Sequence, residues 1–378
     1  MASLFSVRLN SILGFLSCLL ASGVGFAADP ETLTLPPGLS LWDESFNVRV
    51  GLGYNDNLLL SEVNQEESPF VTIGLEATLL RLPLDGTQVV VFLSGEDTRY
   101  WHGHGLPKDQ LVFGQAQVKK QFAGEWNAGL TLQSTYTDTV FDASITETNL
   151  TPVPARGYSF RGAPSLRREF LKKYWVELEF GVSRQYFDAP LDDYWEFGPK
   201  LTLGKNYGNQ STLALSYQFN QRSYDDRTPL NSDLSPEVGQ TLEYSRHGVE
   251  LALRHNWDEH RRWRTLTSVV GEFNRDNGSG YFDYFSYRLT QQVRYVAKMW
   301  EAKVQAKFSY YDYPNQFVGT DTHSKRYLSN LRLNLRGERK LAQKIKLFAE
   351  YEYERSFSNE TVSEYQVNKV TGGIDWEF

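Results

Sequence analysis

From Ser45 to the end of the chain, apolar and polar side chains alternate with a period of two. Phe46, Val48, Val50, Leu52 and Tyr54 share one face of the first such segment, against Asn47, Arg49, Gly51, Gly53 and Asn55. Trp300, Ala302, Val304, Ala306, Phe308 and Tyr310 likewise oppose Glu301, Lys303, Gln305, Lys307 and Ser309. Successive side chains of a strand point to opposite faces, whereas a helix would repeat every 3.6 residues. Sixteen segments carry the pattern, near 45–60, 68–82, 87–101, 109–122, 125–139, 156–170, 173–187, 191–204, 210–224, 241–257, 261–275, 280–297, 299–312, 325–338, 344–357 and 363–378. Pro164 interrupts the sixth, since proline donates no ladder hydrogen bond.

The links between segments alternate short and long. LPLDGT (82–87), FAGEW (122–126), LKK (171–173), VAKMW (296–300) and ERKLAQK (338–344) are short, whereas 55–69, 138–156, 223–240 and 312–325 are long. A transmembrane barrel has tight turns at its periplasmic rim, longer loops at the outer rim, and an even strand number. Tyr54, Tyr136, Tyr186, Tyr224 and Tyr310 precede long links, and Trp126, Trp175, Trp257, Trp263 and Trp300 flank short ones. Two aromatic girdles at the membrane interfaces predict this placement. The expected fold is an all-β, transmembrane, antiparallel up-and-down barrel of about sixteen strands, spanning 45–378.

The N-terminus reads as a cleaved secretory signal over 1–27. Arg8 is its only charge, Ile12 to Phe26 is apolar, and Gly25 and Ala27 are small residues suited to a cleavage site. Residues 28–44 read as a short periplasmic leader. Cleavage would remove Cys18, the only cysteine, and leave a chain held without disulfides. The mean hydropathy of −0.47 and the lack of a later apolar run near 20 residues exclude a helical membrane protein. A net charge of −7 gives no reason to expect nucleic acid. The last strand ends Val370, Gly372, Ile374, Trp376, Phe378 on one face. Ile374, Trp376 and Phe378 resemble the terminal signature of bacterial outer-membrane barrels, which implies recognition by the barrel-assembly machinery.

Four segments extend the resemblance: GLGYNDNLLLS (51–61), RQYFD (184–188), QRSYDD (221–226) and GGIDWEF (372–378). Together they resemble the β-barrel porin-2 type of outer-membrane protein over the whole mature chain. The resemblance implies a Gram-negative outer-membrane location, contact with membrane lipid and lipopolysaccharide, and a channel. Some relatives sit with exopolysaccharide export systems, which implies a periplasmic polysaccharide-export protein as a partner. No functional residue carries over from it.

The polar phase holds the candidate chemistry. Lipid-facing and lumen-facing residues alternate in such a barrel, and charges are costly against lipid. That assigns Arg288, Arg294, Lys303, Lys307, Arg332 and Arg336 to the pore lining, with Glu350, Glu352 and Glu354 on the next strand and Glu177 and Glu179 on the seventh. Setting Arg336 opposite Lys346 predicts an Arg332–Glu350 ion pair. A basic strip facing an acidic one would sort polar solutes; the same charges paired along the wall would merely hold the barrel. His102 and His104 flank Gly103 in an expected outer loop with no cysteine or patterned carboxylate, so a solvated loop accounts for them and no metal is expected. His247 and His255 fall on the lipid-facing phase, and His260 and His323 in links. No Ser, His and Asp spacing singles out a catalytic set, and no cofactor motif appears. The expected function is a channel for polar solutes, extending to polysaccharide export; the alternatives are a structural or adhesive barrel with a closed lumen, or a rim-sited hydrolase.

Overall fold

A computed structural model describes residues 40–83, 85–141, 153–231, 233–318 and 324–378. The expected signal peptide and most of the leader lie outside these residues. The strands are β1 (Trp42–Asn55), β2 (Ser68–Arg81), β3 (Thr87–Tyr100), β4 (Lys108–Phe122), β5 (Trp126–Phe141), β6 (Val153–Phe170), β7 (Tyr174–Phe187) and β8 (Tyr194–Tyr207). They continue as β9 (Ser211–Tyr224), β10 (Glu243–Asn256), β11 (Trp263–Asp276), β12 (Tyr284–Val296), β13 (Trp300–Val318), β14 (Ser324–Lys340), β15 (Ile345–Ser358) and β16 (Tyr365–Glu377). Each pairs antiparallel with its sequence neighbours, and β1 pairs with β16 from Asn47↔Glu377 to Asn55↔Lys369, closing the barrel. Closure leaves no unpaired edge, the requirement for a sheet surrounded by hydrocarbon.

Short and long connections alternate. Residues 123–125, 171–173, 208–210 and 297–299 are three-residue turns at one rim, where 225–242 is the longest described loop at the other. The turns reverse the chain through left-handed backbone: Gly124 has φ 76°, and Leu171 and Lys172 have φ 51° and 58° without being glycine. The link at 312–325 is shorter than its composition suggests, because β13 runs on to Val318 across a register shift after Asp312. β6 passes through Pro164, which pairs with Leu130 of β5, while its pairing with β7 lapses between Gly162 and Ser165. The missing N–H thus costs rungs on one side only.

The outward phase is a band of exposed apolar side chains, with Leu52 60% exposed and comparable Leu, Val and Phe residues around the wall. So much contiguous apolar surface is stable only against a nonaqueous phase. Tyr54, Trp126, Trp263 and Trp300 stand exposed at its margins as the girdles require. Trp175 and Tyr224 do not. Both share the inward phase and are buried, Trp175 under the Arg167 guanidinium at 4.2 Å and Tyr224 edge-on to Tyr244 at 5.5 Å. Position near a strand end does not reveal a ring's phase.

At the long-loop rim the inward phase turns from polar to aromatic. Phe70 and Tyr100 pack with Leu58 and Leu106 from the adjoining loops. Tyr224 and Tyr244 pack with Leu242 and Phe282, with Leu230 beside them. Tyr284, Tyr311, Tyr313 and Leu328 form a further cluster. These buried rings anchor the loops against the inner wall. Loop 225–242 is tied to the next loop by Ser279, which donates from its hydroxyl to the Leu230 carbonyl at 2.7 Å and from its backbone N–H to Glu237 at 2.8 Å.

Candidate lumen wall

Residues from β1, β2, β3 and from β12 to β16 line one cavity of about 520 Å³, among them Arg49, Glu96, Gln292, Lys303, Arg336 and Lys369. Strands that far apart around a closed sheet meet only across its interior, so this phase faces the lumen. Of the charged residues named from the sequence, Arg294, Lys303, Arg336, Glu350 and Glu352 line this cavity, whereas Arg288, Lys307, Arg332, Glu354, Glu177 and Glu179 do not border it; all eleven alternate with exposed apolar neighbours such as Leu289, Val304, Leu335 and Leu178.

The pairing differs from the expected one. Arg336 lies opposite Glu350 and Arg332 opposite Glu354, because β14 runs to Lys340 and pairs there with Lys346. The turn is 341–344, and the expected Arg332–Glu350 pair is offset by four residues. Arg336 donates to Glu350 at 2.7 Å and to Glu338 at 2.8 Å, and lies 3.6 Å from Asp375. Arg49 approaches the same Asp375 at 3.6 Å, and both guanidiniums lie over the buried Phe348 ring. Arg332 pairs with Glu354 at 2.8 Å, and Lys369 with Glu352 at 3.3 Å. Arg294 donates to Glu301 at 2.6 Å, and Arg288 to Glu272 at 3.0 Å. Glu179 accepts from Arg161 at 2.7 Å, and Glu177 stands opposite Arg167 in the ladder. Much of the charge is thus neutralised between neighbouring strands rather than held apart across the barrel.

Two features stand outside that neutralisation. First, Glu196 takes hydrogen bonds from two arginines, Arg222 at 3.0 Å and Arg246. Their side chains are only 12% and 17% exposed, so one carboxylate serves two sheltered cations. Second, the ladder sets four cations directly opposite one another: Arg264↔Arg294, Arg294↔Lys303 and Lys303↔Arg336. Opposed pairs have Cβ atoms about 5 Å apart, and like charges there repel. Arg294 and Arg336 have carboxylates; among the described residues Lys303 and Arg264 make no ion pair, and neither does Lys307, two inward positions further along β13 and opposite Arg332. Sequence alternation reveals the phase of these residues, whereas the rows need the register.

Elsewhere the loops hold themselves together. The Glu66 carboxylate accepts from the backbone N–H of Gly105 at 3.1 Å and of His104, with the His104 ring at 3.3 Å. No group of three or more His, Cys, Asp or Glu suited to a metal occurs among the described residues. His247 lies 2.8 Å from the Tyr217 hydroxyl and His255 3.2 Å from that of Tyr207, on the outward phase as expected; His323 lies outside the described residues. Asp85 accepts two hydrogen bonds from Arg81, each 2.9 Å, and one from the Thr87 N–H, which hold its carboxyl well below the usual range. Asp225, bonded by Arg184, is held low for the same reason. Ile374, Trp376 and Phe378 face outward and are about half exposed, with the Phe378 N–H bonded to the Phe46 carbonyl at 2.8 Å.

No family model matches the chain, and no curated protein sequence matches it. Solved structures similar to it include CdiB from Acinetobacter baumannii, at 10% identity and TM-score 0.45, covering 90% of this chain. The chain spans 60% of CdiB's length. Another is the outer membrane protein opdK from Pseudomonas aeruginosa, at 10% identity and TM-score 0.44, covering 89% of this chain and 99% of that one. A third is an anion-selective porin from Comamonas acidovorans, at 11% identity and TM-score 0.43, again covering 89% and 99%.

Proposed function

We propose that the protein is an outer-membrane channel through which polar solutes pass passively. The observation that carries the reading is the charged and amide-rich inner wall, with Lys303 and Glu96 bordering a cavity inside a closed sheet. Ionised side chains on the inward phase are stable where water fills the barrel and costly where it does not. The signal peptide expected over 1–27 and the outward Ile374, Trp376 and Phe378 would direct the chain to the outer membrane through the barrel-assembly machinery, where lipid and lipopolysaccharide would cover the apolar band. Sixteen strands spaced about 4.8 Å apart and tilted near 40° give a backbone diameter of roughly 30 Å before side chains. At the long-loop rim, loop residues such as Leu58 and Leu242 pack on the inward rings. The wall acts on solutes by charge and hydrogen bonding.

Liposome swelling with neutral sugars of increasing size tests this reading. Entry of small sugars with a size cut-off supports it, and impermeable liposomes containing folded protein contradict it. Polysaccharide export, which the family resemblance implies, is the finer branch. Loss of a surface polymer on gene deletion, restored by the wild-type chain, would support it. A closed adhesive barrel is favoured only by the packed outer end, and predicts no swelling at all.

A further inference from the structure

We propose that Lys303, Lys307 and Arg264 form an anion-binding step on the lumen wall, which takes a solute carrying two or more carboxylate or phosphate groups. The inference rests on the channel reading and names its substrate class.

Three observations converge. Lys303, Gln305 and Lys307 occupy consecutive inward positions of β13, so two ammonium groups flank an amide along about 13 Å of one strand. Gln292 lies directly opposite Gln305 on one side and Asn334 on the other, which adds amide donors to the same level. These three amides and Lys303 line the 520 Å³ cavity; Asn334 spends one amide N–H on Glu350 and Gln305 one on Gln292, and each amide nitrogen carries a second N–H.

Glu96, which lines the same cavity, stands on β3, six strands away, and the carboxylates next to Lys303 in the ladder are engaged by arginines. Glu301 is held by Arg294, and Glu338 and Glu350 by Arg336. Among the described residues Arg264 donates only to the Arg261 carbonyl, at 2.9 Å. Four cations in one cross-strand row repel, and a bound oxyanion would relieve that repulsion where a cation would add to it. Arranged along the strand, the two lysines suit a solute with separated anionic groups better than a single halide.

Citrate and an oligogalacturonate of about six residues serve as probes, distinguishing a small free anion from an acidic polymer. The protein is reconstituted in a planar bilayer in potassium chloride, and each probe is added from one side. Wild type should show concentration-dependent current block by at least one probe, with the half-blocking concentration rising about tenfold in Lys303→Gln/Lys307→Gln. Lys200→Gln, which removes a cation paired to Glu250 on another part of the wall, should shift it far less. Calorimetric titration of detergent-solubilised protein with citrate provides a second readout. Should wild type pass no current, the channel reading fails, while citrate heat lost in the double variant would still support the site. Equal block, or equal heat, in wild type and the double variant would overturn it, as would an equal effect of Lys200→Gln.

Discussion

Reversing the two unpaired lysines of β13, Lys303→Glu/Lys307→Glu, should change which ions the channel prefers. Both project from a wall whose backbone radius is roughly 15 Å, and a lysine reaches about 6 Å inward, leaving its charge about 10 Å from the axis. In water a unit charge at that distance acts on an axial ion with about 0.4 kcal/mol. Each reversal changes the wall by two charges, so the pair contributes about 1.7 kcal/mol before screening. At 0.1 M salt the Debye length is also about 10 Å, which leaves roughly 0.6 kcal/mol. Anions are disfavoured and cations favoured about threefold each, so the permeability ratio should move about eightfold toward cations. Reversal potentials in a tenfold potassium chloride gradient measure it. Neither lysine holds a carboxylate among the described residues, so the substitution leaves the wall's ion pairs in place. A folded, conducting variant whose ratio moves less than twofold would refute the claim that these side chains line the conducting path.

Other sites give predictions of different kinds. Glu196→Gln leaves Arg222 and Arg246 facing each other without a counter-charge, and should cost about 2–3 kcal/mol, less than a fully buried pair because some water reaches all three; urea unfolding in micelles followed by tryptophan fluorescence reads it, and an unchanged midpoint counts against the network. Asp85, with its carboxyl held low by Arg81 and Thr87, ties the end of β2 to the start of β3 at neutral pH. Its contribution is complete above pH about 4 and is lost as pH falls through the depressed value, so Asp85→Asn should destabilise at pH 7 and cease to matter in strong acid. A Cβ at Gly53 would lie 2.3 Å from both the Phe70 ring and the Val370 carbonyl, so Gly53→Ala should block or slow closure of β1 onto β16, visible as loss of the heat-modifiable band on gels. Deleting Phe378 removes its ring contact with Phe46 at 5.5 Å and part of the expected insertion signal, and should lower the amount of assembled barrel in cells.

Much of the fold is legible in the chain because a period of two needs no tertiary information. The alternation places Arg288, Lys303 and Glu350 on one phase and Leu289, Val304 and Ala349 on the other before any strand is paired. Register is another matter. One choice of turn in 338–344 sets Arg336 against Lys346, the actual one sets it against Glu350, and both preserve the alternation. The cation row through Arg264, Arg294, Lys303 and Arg336 depends on three registers at once, so no local pattern announces it. Parity also cannot distinguish a ring facing lipid from one packed under a loop. Tyr224 and Tyr54 both precede long links, yet Tyr224 is 4% exposed and Tyr54 42%. The signal that separates them is phase: Tyr54 shares its face with Val50 and Leu52, whereas Tyr224 shares its face with Gln218, Asn220 and Arg222.

Single-channel recording of the wild-type protein in a planar bilayer tests the central claim most directly. The account predicts stepwise, long-lived currents in potassium chloride, each step reporting one water-filled barrel. Protein shown to be folded by its heat-modifiable migration, yet giving no steps across the accessible voltage range, would contradict a passive channel and leave the packed outer loops as the working surface.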